Sequence, residues 1–336
     1  MKAVVLRELG GPENLRVEDV TDPQPKANEV VIRLRAAAVN HRDVFIRKGQ
    51  YAGIKLPIIL GSDGAGEVVT AGAEVDQTLI GKAVVINPSL DWGEDERVQG
   101  PAFRILGFPD HGTYAQLIKV PASNVHAKPA SLSFEEASAI PLSGLTAYRA
   151  VVTRARVQPG ETVLITGIGG GVSSFALQIA VHLGVRVLVT SGSEAKLGRA
   201  REMGAAGSAN YRTGDWIKEI AGLAGNNGVD VIIDSVGGET FAKALEVIKP
   251  GGRIVTYGAT TGAAGQIEVR RIFWKQVNIL GSTMGTPREF AAMLELYGDG
   301  KLRPVVDQVF TLDDVQSAHR RLEEAEHFGK IVMRIE

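Results

Sequence analysis

Apolar residues fall into two rhythms along this chain. From residue 1 to about 120 they come as short extended runs, Val30-Val31-Ile32-Arg33-Leu34 and Lys82-Ala83-Val84-Val85-Ile86, with punctuation at Gly10-Gly11-Pro12, Leu56-Pro57 and Asn87-Pro88. Such runs, parted by turn signals, predict an antiparallel, barrel-like domain with long connections. Residues 88–112 have little periodicity and contain Asp91-Trp92-Gly93-Glu94-Asp95-Glu96. A connection that long is a functional loop, a separate lobe or a mobile segment. From residue 161 the rhythm changes: apolar runs at 161–166, 185–190, 229–234 and 253–258 alternate with helical periods at 172–183, 194–203 and 239–248. Nearly continuous apolar strands interleaved with helices predict βαβ units and a parallel sheet covered on both faces. Residues 278–282 are read as its last strand. Thr286-Pro287-Arg288-Glu289 predicts a helix start with Pro at its first position, and residues 311–314 open a second helix that runs to Ala325. The closing strand-like run, 330–335, has no partner nearby in sequence and is expected to return to the N-terminal domain. The expected fold class is α/β, a Rossmann doubly wound parallel sheet (residues 123–269) beside a discontinuous β-rich domain (1–122 and 270–336).

Thr166-Gly167-Ile168-Gly169-Gly170-Gly171-Val172-Ser173-Ser174 follows a predicted strand and opens a predicted helix. A turn of this kind offers backbone N–H groups and the positive end of a helix to a phosphate, and Gly169, Gly170, Gly171 and Val172 are the candidate cradle. The strict G-x-G-x-x-G spacing is not met, so the signal rests on the surrounding βαβ pattern; a tight turn without a ligand is the alternative. NAD-binding versions of this fold place Asp or Glu at the end of the second strand to bind the ribose hydroxyls. Here the strand ends Ser191-Gly192-Ser193-Glu194-Ala195-Lys196. Ser191 and Ser193 can donate to a phosphate and Lys196 can supply charge, which argues for NADP. Glu194 weighs against it, and Ser193 capping the next helix beside a solvated Lys196 is the alternative.

Composition narrows the field. The chain holds 37 Lys and Arg against 38 Asp and Glu, a net charge of −1, so it lacks the basic excess that a nucleic-acid partner favours. It has no cysteine, which removes disulfides, thiolate nucleophiles, iron–sulfur clusters and thiolate zinc sites. The 40 glycines among 336 residues point to tight turns or a backbone that closely approaches a ligand. No run of 18 apolar residues predicts a spanning helix, and the N-terminus lacks a signal-peptide pattern. A soluble, cytoplasmic protein without nucleic-acid or membrane partners is expected.

Taken together, Asn40-His41-Arg42-Asp43, Gly61-Ser62-Asp63-Gly64-Ala65-Gly66-Glu67-Val68, Pro141-Leu142-Ser143-Gly144-Leu145-Thr146-Ala147-Tyr148, the glycine-rich turn, Lys249-Pro250-Gly251-Gly252-Arg253 and Gly329-Lys330-Ile331-Val332 resemble the medium-chain dehydrogenase/reductase superfamily over essentially the whole chain. The resemblance implies a GroES-like catalytic domain for the β-rich part. Zinc-dependent members hold a catalytic zinc on Cys, His and Cys; the matching positions here are Asn40, Ser62 and Leu142, a poor donor set. The lobe that carries a structural zinc in such members matches residues 88–112, without thiols. None of the six histidines shows a metal-binding spacing. The resemblance therefore points to the zinc-free, quinone-oxidoreductase-like branch, with no metal. Without a Lewis acid, hydride goes to an acceptor that is already electrophilic, a quinone or an α,β-unsaturated carbonyl. By resemblance the candidate catalytic residues are Asn40, Asp43, Tyr51 and Ser62. Asp43 is equally readable as a helix cap or a partner for Arg42. The cofactor-lining candidates by resemblance are Thr146, Tyr211, Gly237, Tyr257, Gly258 and Lys330. Relatives pair their cofactor domains edge to edge, which implies a homodimer or homotetramer through residues 278–282. The expected function is NADPH-dependent reduction of a small-molecule quinone or enone. The alternatives are a zinc-independent alcohol or aldehyde dehydrogenase and a weakly active NADP-binding sensor.

Overall fold

The middle of the chain forms six parallel strands in the order Gly207–Asn210, Arg186–Ser191, Thr162–Ile165, Val229–Asp234, Ile248–Thr256, Asn278–Gly281. The computed structural model describes residues 1–225, 227–263 and 266–336. Leu164, Leu188, Ile232 and Ile254 of adjacent strands meet Ile220, Phe241, Ala244 and Leu245 of the covering helices in one buried cluster. The strand Gly207–Asn210 and the helix Trp216–Ala224 were not foreseen. The first is built of Gly, Ser, Ala and Asn, with no apolar run to announce it. Helix Trp216–Ala224 starts at Asp215, whose side chain accepts from the Lys218 amide at 3.2 Å.

The rest of the β-structure is mainly antiparallel, built around the ten-residue strand Glu29–Ala38, which pairs antiparallel with Asp63–Ala71, with Leu117–Pro121 and with the C-terminal strand Lys330–Arg334; Val306–Thr311 joins Lys330–Arg334 in parallel. The end of the chain thus returns to the N-terminal sheet. Val30, Ile32, Leu34, Val68, Val84, Ile86, Ile118, Ile331 and Met333 fill its core.

The compact units are Met1–Leu145 with Gly285–Glu336, and Thr146–Met284. The expected boundaries, 122/123 and 269/270, therefore shift. Residues 123–145 stay with the first unit because Ala139 and Phe134 of helix Phe134–Ala139 pack on Ala36, Ala38 and Val332. Residues 270–284 stay with the second because Ile272 and Val277 enter its core and Asn278–Gly281 pairs with Ile248–Thr256.

The 88–112 stretch is a small lobe of the first unit with its own fastenings. Ser89–Leu90 pairs with Arg104–Ile105. The Trp92 and Phe103 rings meet edge to face at 5.2 Å, and the Arg104 guanidinium bridges Asp91 and Asp110.

Candidate active site

Two polar clusters carry the candidate residues, one in each unit. In the second unit the strand Thr162–Ile165 runs into the glycine-rich turn, and helix Gly171–His182 starts at Gly170 without a side-chain cap. The first amides of that helix are therefore left for a ligand. Gly169 sits at φ +134° and a Cβ there would lie 2.6 Å from Lys196 Cδ. Lys196 thus reaches back over the turn, although it belongs to the next helix. The Gly167 amide donates to Thr190 Oγ1 (3.2 Å), and Ser173 Oγ accepts from the Gly169 amide (3.3 Å), which fixes the loop.

Around the end of strand Arg186–Ser191 several candidates gather. Ser193 Oγ caps helix Glu194–Glu202, accepting from the Lys196 amide at 3.5 Å. Ser191 Oγ accepts from the Ser193 amide at 3.3 Å. Both hydroxyls act there as acceptors, so each retains its hydrogen for a donor role. A Cβ on Gly192 would lie 2.7 Å from Arg212 Nε and 2.8 Å from the Tyr211 ring, so these two side chains close over it. Arg212 was missed from sequence; its signal was simply a cation next to Tyr211. Glu194, the residue that weighed against NADP, has its carboxylate held by Asn210 Nδ2 at 2.5 Å.

At the same C-terminal edge of the sheet, Asp234 is fully buried. It accepts from Thr166 Oγ1 (2.5 Å) and from the Gly237 amide (3.1 Å), while burial pushes its carboxyl above the usual range. Gly237 sits at φ +70°, and the Tyr257 amide donates to Asp234 O (3.1 Å), so Gly237 and Tyr257 are set by this one aspartate, while Gly258 lies beside Ser235. Burial pushes the Tyr257 phenol up. Thr146 opens the second unit, its hydroxyl 4.0 Å from Met284 Sδ.

In the first unit the strand Glu29–Ala38 hands over to helix His41–Arg47 through a capping box. The Asn40 amide donates to Asp43 Oδ2 at 2.9 Å, as does the Tyr114 hydroxyl at 2.8 Å. Asp43 is 0% exposed, and burial raises its carboxyl pKa. Of its two readings the helix cap is visible here: Asp43 starts the helix and anchors Tyr114. The Ser62 hydroxyl donates to Leu106 O (2.7 Å) and its oxygen accepts from Arg42 Nη1 (3.2 Å). Arg42 also donates to Leu106 O and Phe108 O, which ties helix His41–Arg47 to the lobe. Tyr51 keeps an exposed ring, 5.7 Å from the Arg42 guanidinium carbon and edge-on to Phe108.

Lys330 was expected along the cofactor. Its ammonium is buried in the first unit and donates to Asn40 Oδ1 (2.6 Å), Val39 O (3.0 Å) and Asp63 Oδ2 (3.0 Å), with Ser143 Oγ at 3.4 Å. Asp63 also accepts from Asn40 Nδ2 (2.9 Å) and, through Oδ1, from the Leu142 amide (2.8 Å). The Asn40 amide is therefore committed on both its oxygen and its nitrogen. Sequence reasoning missed Asp63 and Ser143; for Asp63 the available signal was opposite charges at the first positions of two strands, Asp63–Ala71 and Lys330–Arg334.

The positions that match the catalytic zinc ligands do not fit that metal. Leu142 has no side-chain donor, the Ser62 hydroxyl is spent on Leu106 O, and the Asn40 carboxamide oxygen is taken by an ammonium. Among the described residues no cluster of three or more His, Asp or Glu could hold a metal ion, and no helix is long and apolar enough to cross a membrane.

Comparison with known proteins agrees with this architecture. The model for the alcohol dehydrogenase GroES-like domain matches residues 26–130, and that for zinc-binding dehydrogenase matches residues 171–299. The zinc-type alcohol dehydrogenase-like protein YogA of Leptosphaeria maculans is 36% identical over 96% of this chain and 94% of its own length. Human quinone oxidoreductase is 31% identical over 96% of this chain and 94% of its own. A solved structure of an NAD-dependent alcohol dehydrogenase is 44% identical, with both chains fully covered and a TM-score of 0.96. A GroES-like unit, a parallel nucleotide-binding sheet and these full-length likenesses have one reading: the chain is an oxidoreductase of the medium-chain dehydrogenase/reductase superfamily, in its quinone-oxidoreductase-like branch, a group that works with a nicotinamide cofactor.

Proposed function

We propose that this protein is an NADPH-dependent reductase of quinones or α,β-unsaturated carbonyls that works without catalytic zinc. The observation that carries the reading is the donor set at Asn40, Ser62 and Leu142, where every polar side-chain atom is already engaged within the protein. A simple ketone needs its carbonyl polarised by a Lewis acid, whereas a conjugated acceptor spreads the incoming charge onto a distant oxygen. When bound, the nicotinamide supplies the hydride. The chain's own tasks are to hold the pyrophosphate at Gly169, Gly170 and Gly171 and to fix the adenosine end at Ser191, Ser193, Lys196, Tyr211 and Arg212. Tyr51, with its exposed hydroxyl-bearing ring, is the candidate that meets the acceptor. A second reading, NAD-dependent alcohol oxidation, is favoured by the name of the 44% identical structure. A panel of quinones, enones, aldehydes and alcohols, run with each dinucleotide on protein purified without added zinc, separates the two. Turnover of quinones or enones by metal-free protein is expected. Stoichiometric zinc, or turnover of alcohols alone, overturns the reading.

The dinucleotide preference has its own test. Ser191, Ser193, Lys196 and Arg212 present hydroxyls and cations where a carboxylate would repel a 2′-phosphate, and Asn210 draws Glu194 aside. A hydrogen bond to a charged group contributes about 1.5–3 kcal/mol. Lys196→Ala and Arg212→Ala should therefore each weaken NADPH binding roughly tenfold to a hundredfold, measured by nicotinamide fluorescence, with NADH affinity unchanged. Equal losses for both dinucleotides would remove the 2′-phosphate site.

We also propose that two copies pair through the second unit. The strand Asn278–Gly281 ends the sheet order with an open edge. Beside it Ile279, Phe273, Val269 and Trp274 are exposed, Trp274 by 83%. An open edge next to an apolar patch invites pairing. Light scattering should give at least twice 35.7 kDa for the protein and a smaller species for Ile279→Lys with Trp274→Glu. A monomeric parent protein contradicts the pairing.

A further inference from the structure

Lys330 and Asp63 form a fully buried ion pair, 3% and 0% exposed, with no counterpart elsewhere in the described part of either sheet. Four parts of the first unit meet on this pair: Asn40 from the end of Glu29–Ala38, Asp63 from the start of Asp63–Ala71, Leu142 and Ser143 from helix Pro141–Tyr148, and Lys330 from the start of the last strand. An ammonium carries three hydrogens, and here it faces four acceptors. Asn40 Oδ1, Val39 O and Asp63 Oδ2, at 2.6, 3.0 and 3.0 Å, take them. Ser143 Oγ accepts from Lys330 Nζ and donates to Asn40 Oδ1, both at 3.4 Å, longer than the ammonium's other bonds. The neighbouring hydroxyl of Ser62 is, by contrast, fixed to Leu106 O at 2.7 Å. Ser143, 3% exposed, is thus the loosely held hydroxyl of the cluster, and its oxygen faces the ammonium at 3.4 Å.

We propose that Lys330 is the built-in cation of the active site, a positioning residue that holds Asn40 and Asp63 in register and lets the Ser143 hydroxyl turn from its long 3.4 Å bond to Asn40 Oδ1 to hydrogen-bond the acceptor oxygen as negative charge gathers there. The inference rests on the reductase reading. Ser143 Oγ accepts from the ammonium end of this ion pair at 3.4 Å. A preorganised donor backed by a positive charge in a dry site is the arrangement that stabilises a developing oxyanion. No bond to Lys330 or Ser143 is made or broken: the acceptor gains a hydride at carbon and one proton from water, and the serine contributes a hydrogen bond only.

The test is Lys330→Ala assayed with and without ethylammonium, which fits the vacated space and charge. We expect kcat to fall about a hundredfold, with the NADPH dissociation constant within about twofold of the parent. Ethylammonium should restore kcat saturably and raise the melting temperature of the variant, but not of the parent. Undiminished kcat overturns the proposal. So does a loss of NADPH affinity that matches the loss of kcat, which would return Lys330 to the cofactor, and so does an amine without effect on rate or melting. Should Lys330→Ala fail to fold, Ser143→Ala and Ser143→Thr decide. Alanine is expected to lower kcat about tenfold at constant KM and threonine to retain it, and parental kcat in Ser143→Ala rejects the assignment. If the parent protein reduces no acceptor in the panel, the reductase reading falls by itself, and saturable stabilisation of Lys330→Ala by ethylammonium still upholds or rejects the cation site.

Discussion

Asp63→Asn is expected to destabilise the first unit by about 3–5 kcal/mol, the usual cost of removing one partner from a buried ion pair. Lys330 would keep its buried nitrogen but lose the carboxylate 3.0 Å away, and its other partners, Val39 O, Asn40 Oδ1 and Ser143 Oγ, are neutral. The substitution also inverts hydrogen-bond polarity. Asp63 accepts from two N–H groups besides the ammonium, the Leu142 amide and Asn40 Nδ2. An asparagine there must point its own NH2 at one of those donors. The effect reaches beyond the site, because Asp63 pairs with Ala38 in the central sheet and tethers helix Pro141–Tyr148 through Leu142. Urea unfolding followed by a probe in the first unit measures the loss. Asp63→Asn combined with Lys330→Met should recover much of it, since the orphaned charge is then removed. A loss below about 1 kcal/mol in the single variant would show that the pair is not closed to water.

How far the sequence could be read depends on how local each signal is. The parallel sheet was legible because Thr162–Ile165, Arg186–Ser191 and Val229–Asp234 are apolar runs separated by helical periods. The return of Lys330–Arg334 to the first unit was legible because a lone apolar strand must pair somewhere. The glycine-rich turn, Ser193 and Lys196 were legible because a turn and a helix start lie within a few residues of one another. The catalytic-unit cluster was not. Whether Ser62 donates to a substrate or to Leu106 O depends on a residue 44 positions away, and Lys330 meets Asn40 across 290 positions. Residue type and spacing show that these groups are polar; they do not show which of them are already satisfied. Asp43 shows the same limit. Both readings of it were open in the sequence, and the Tyr114 hydroxyl that donates to it lies 71 positions on. The domain boundaries moved for a related reason, since Phe134 and Ala139 reveal their allegiance only when they pack on Ala36, Ala38 and Val332.

Acid should weaken the first unit through His319, by about 3 kcal/mol between pH 6.5 and pH 4. This histidine lies on helix Val315–Glu323, is 0% exposed, and neither ring nitrogen has a hydrogen-bond partner among the described residues. Its ring meets Tyr114 edge to face at 5.9 Å. Burial, and after it the positive charge of Arg47, pushes its pKa down to about 3. Arg47 itself is committed to Gly10 O (2.7 Å) and Glu323 (2.6 Å), so it cannot turn away to relieve the imidazolium. The sign follows from proton uptake. With a folded pKa below the unfolded value of about 6.5, the unfolded chain binds a proton in this window that the folded chain refuses. Stability is therefore whole above about pH 6.5 and falls by about 1.4 kcal/mol for each unit below it, until the folded pKa is reached. Other groups titrate in the same range, Asp43 in the opposite sense because burial raises its pKa, so the informative quantity is the difference between the parent and His319→Leu. At pH 7.5 the leucine variant should be as stable as the parent or more so, because it removes two unpaired buried nitrogens. At pH 4 it should exceed the parent by about 3 kcal/mol. Urea unfolding of both proteins at pH 7.5, 5.5 and 4.0 gives the two slopes. Parallel slopes would mean that the His319 imidazole takes up its proton without unfolding the helix, and that water or a moving acid reaches a ring that Arg47 and Tyr114 enclose in this structure.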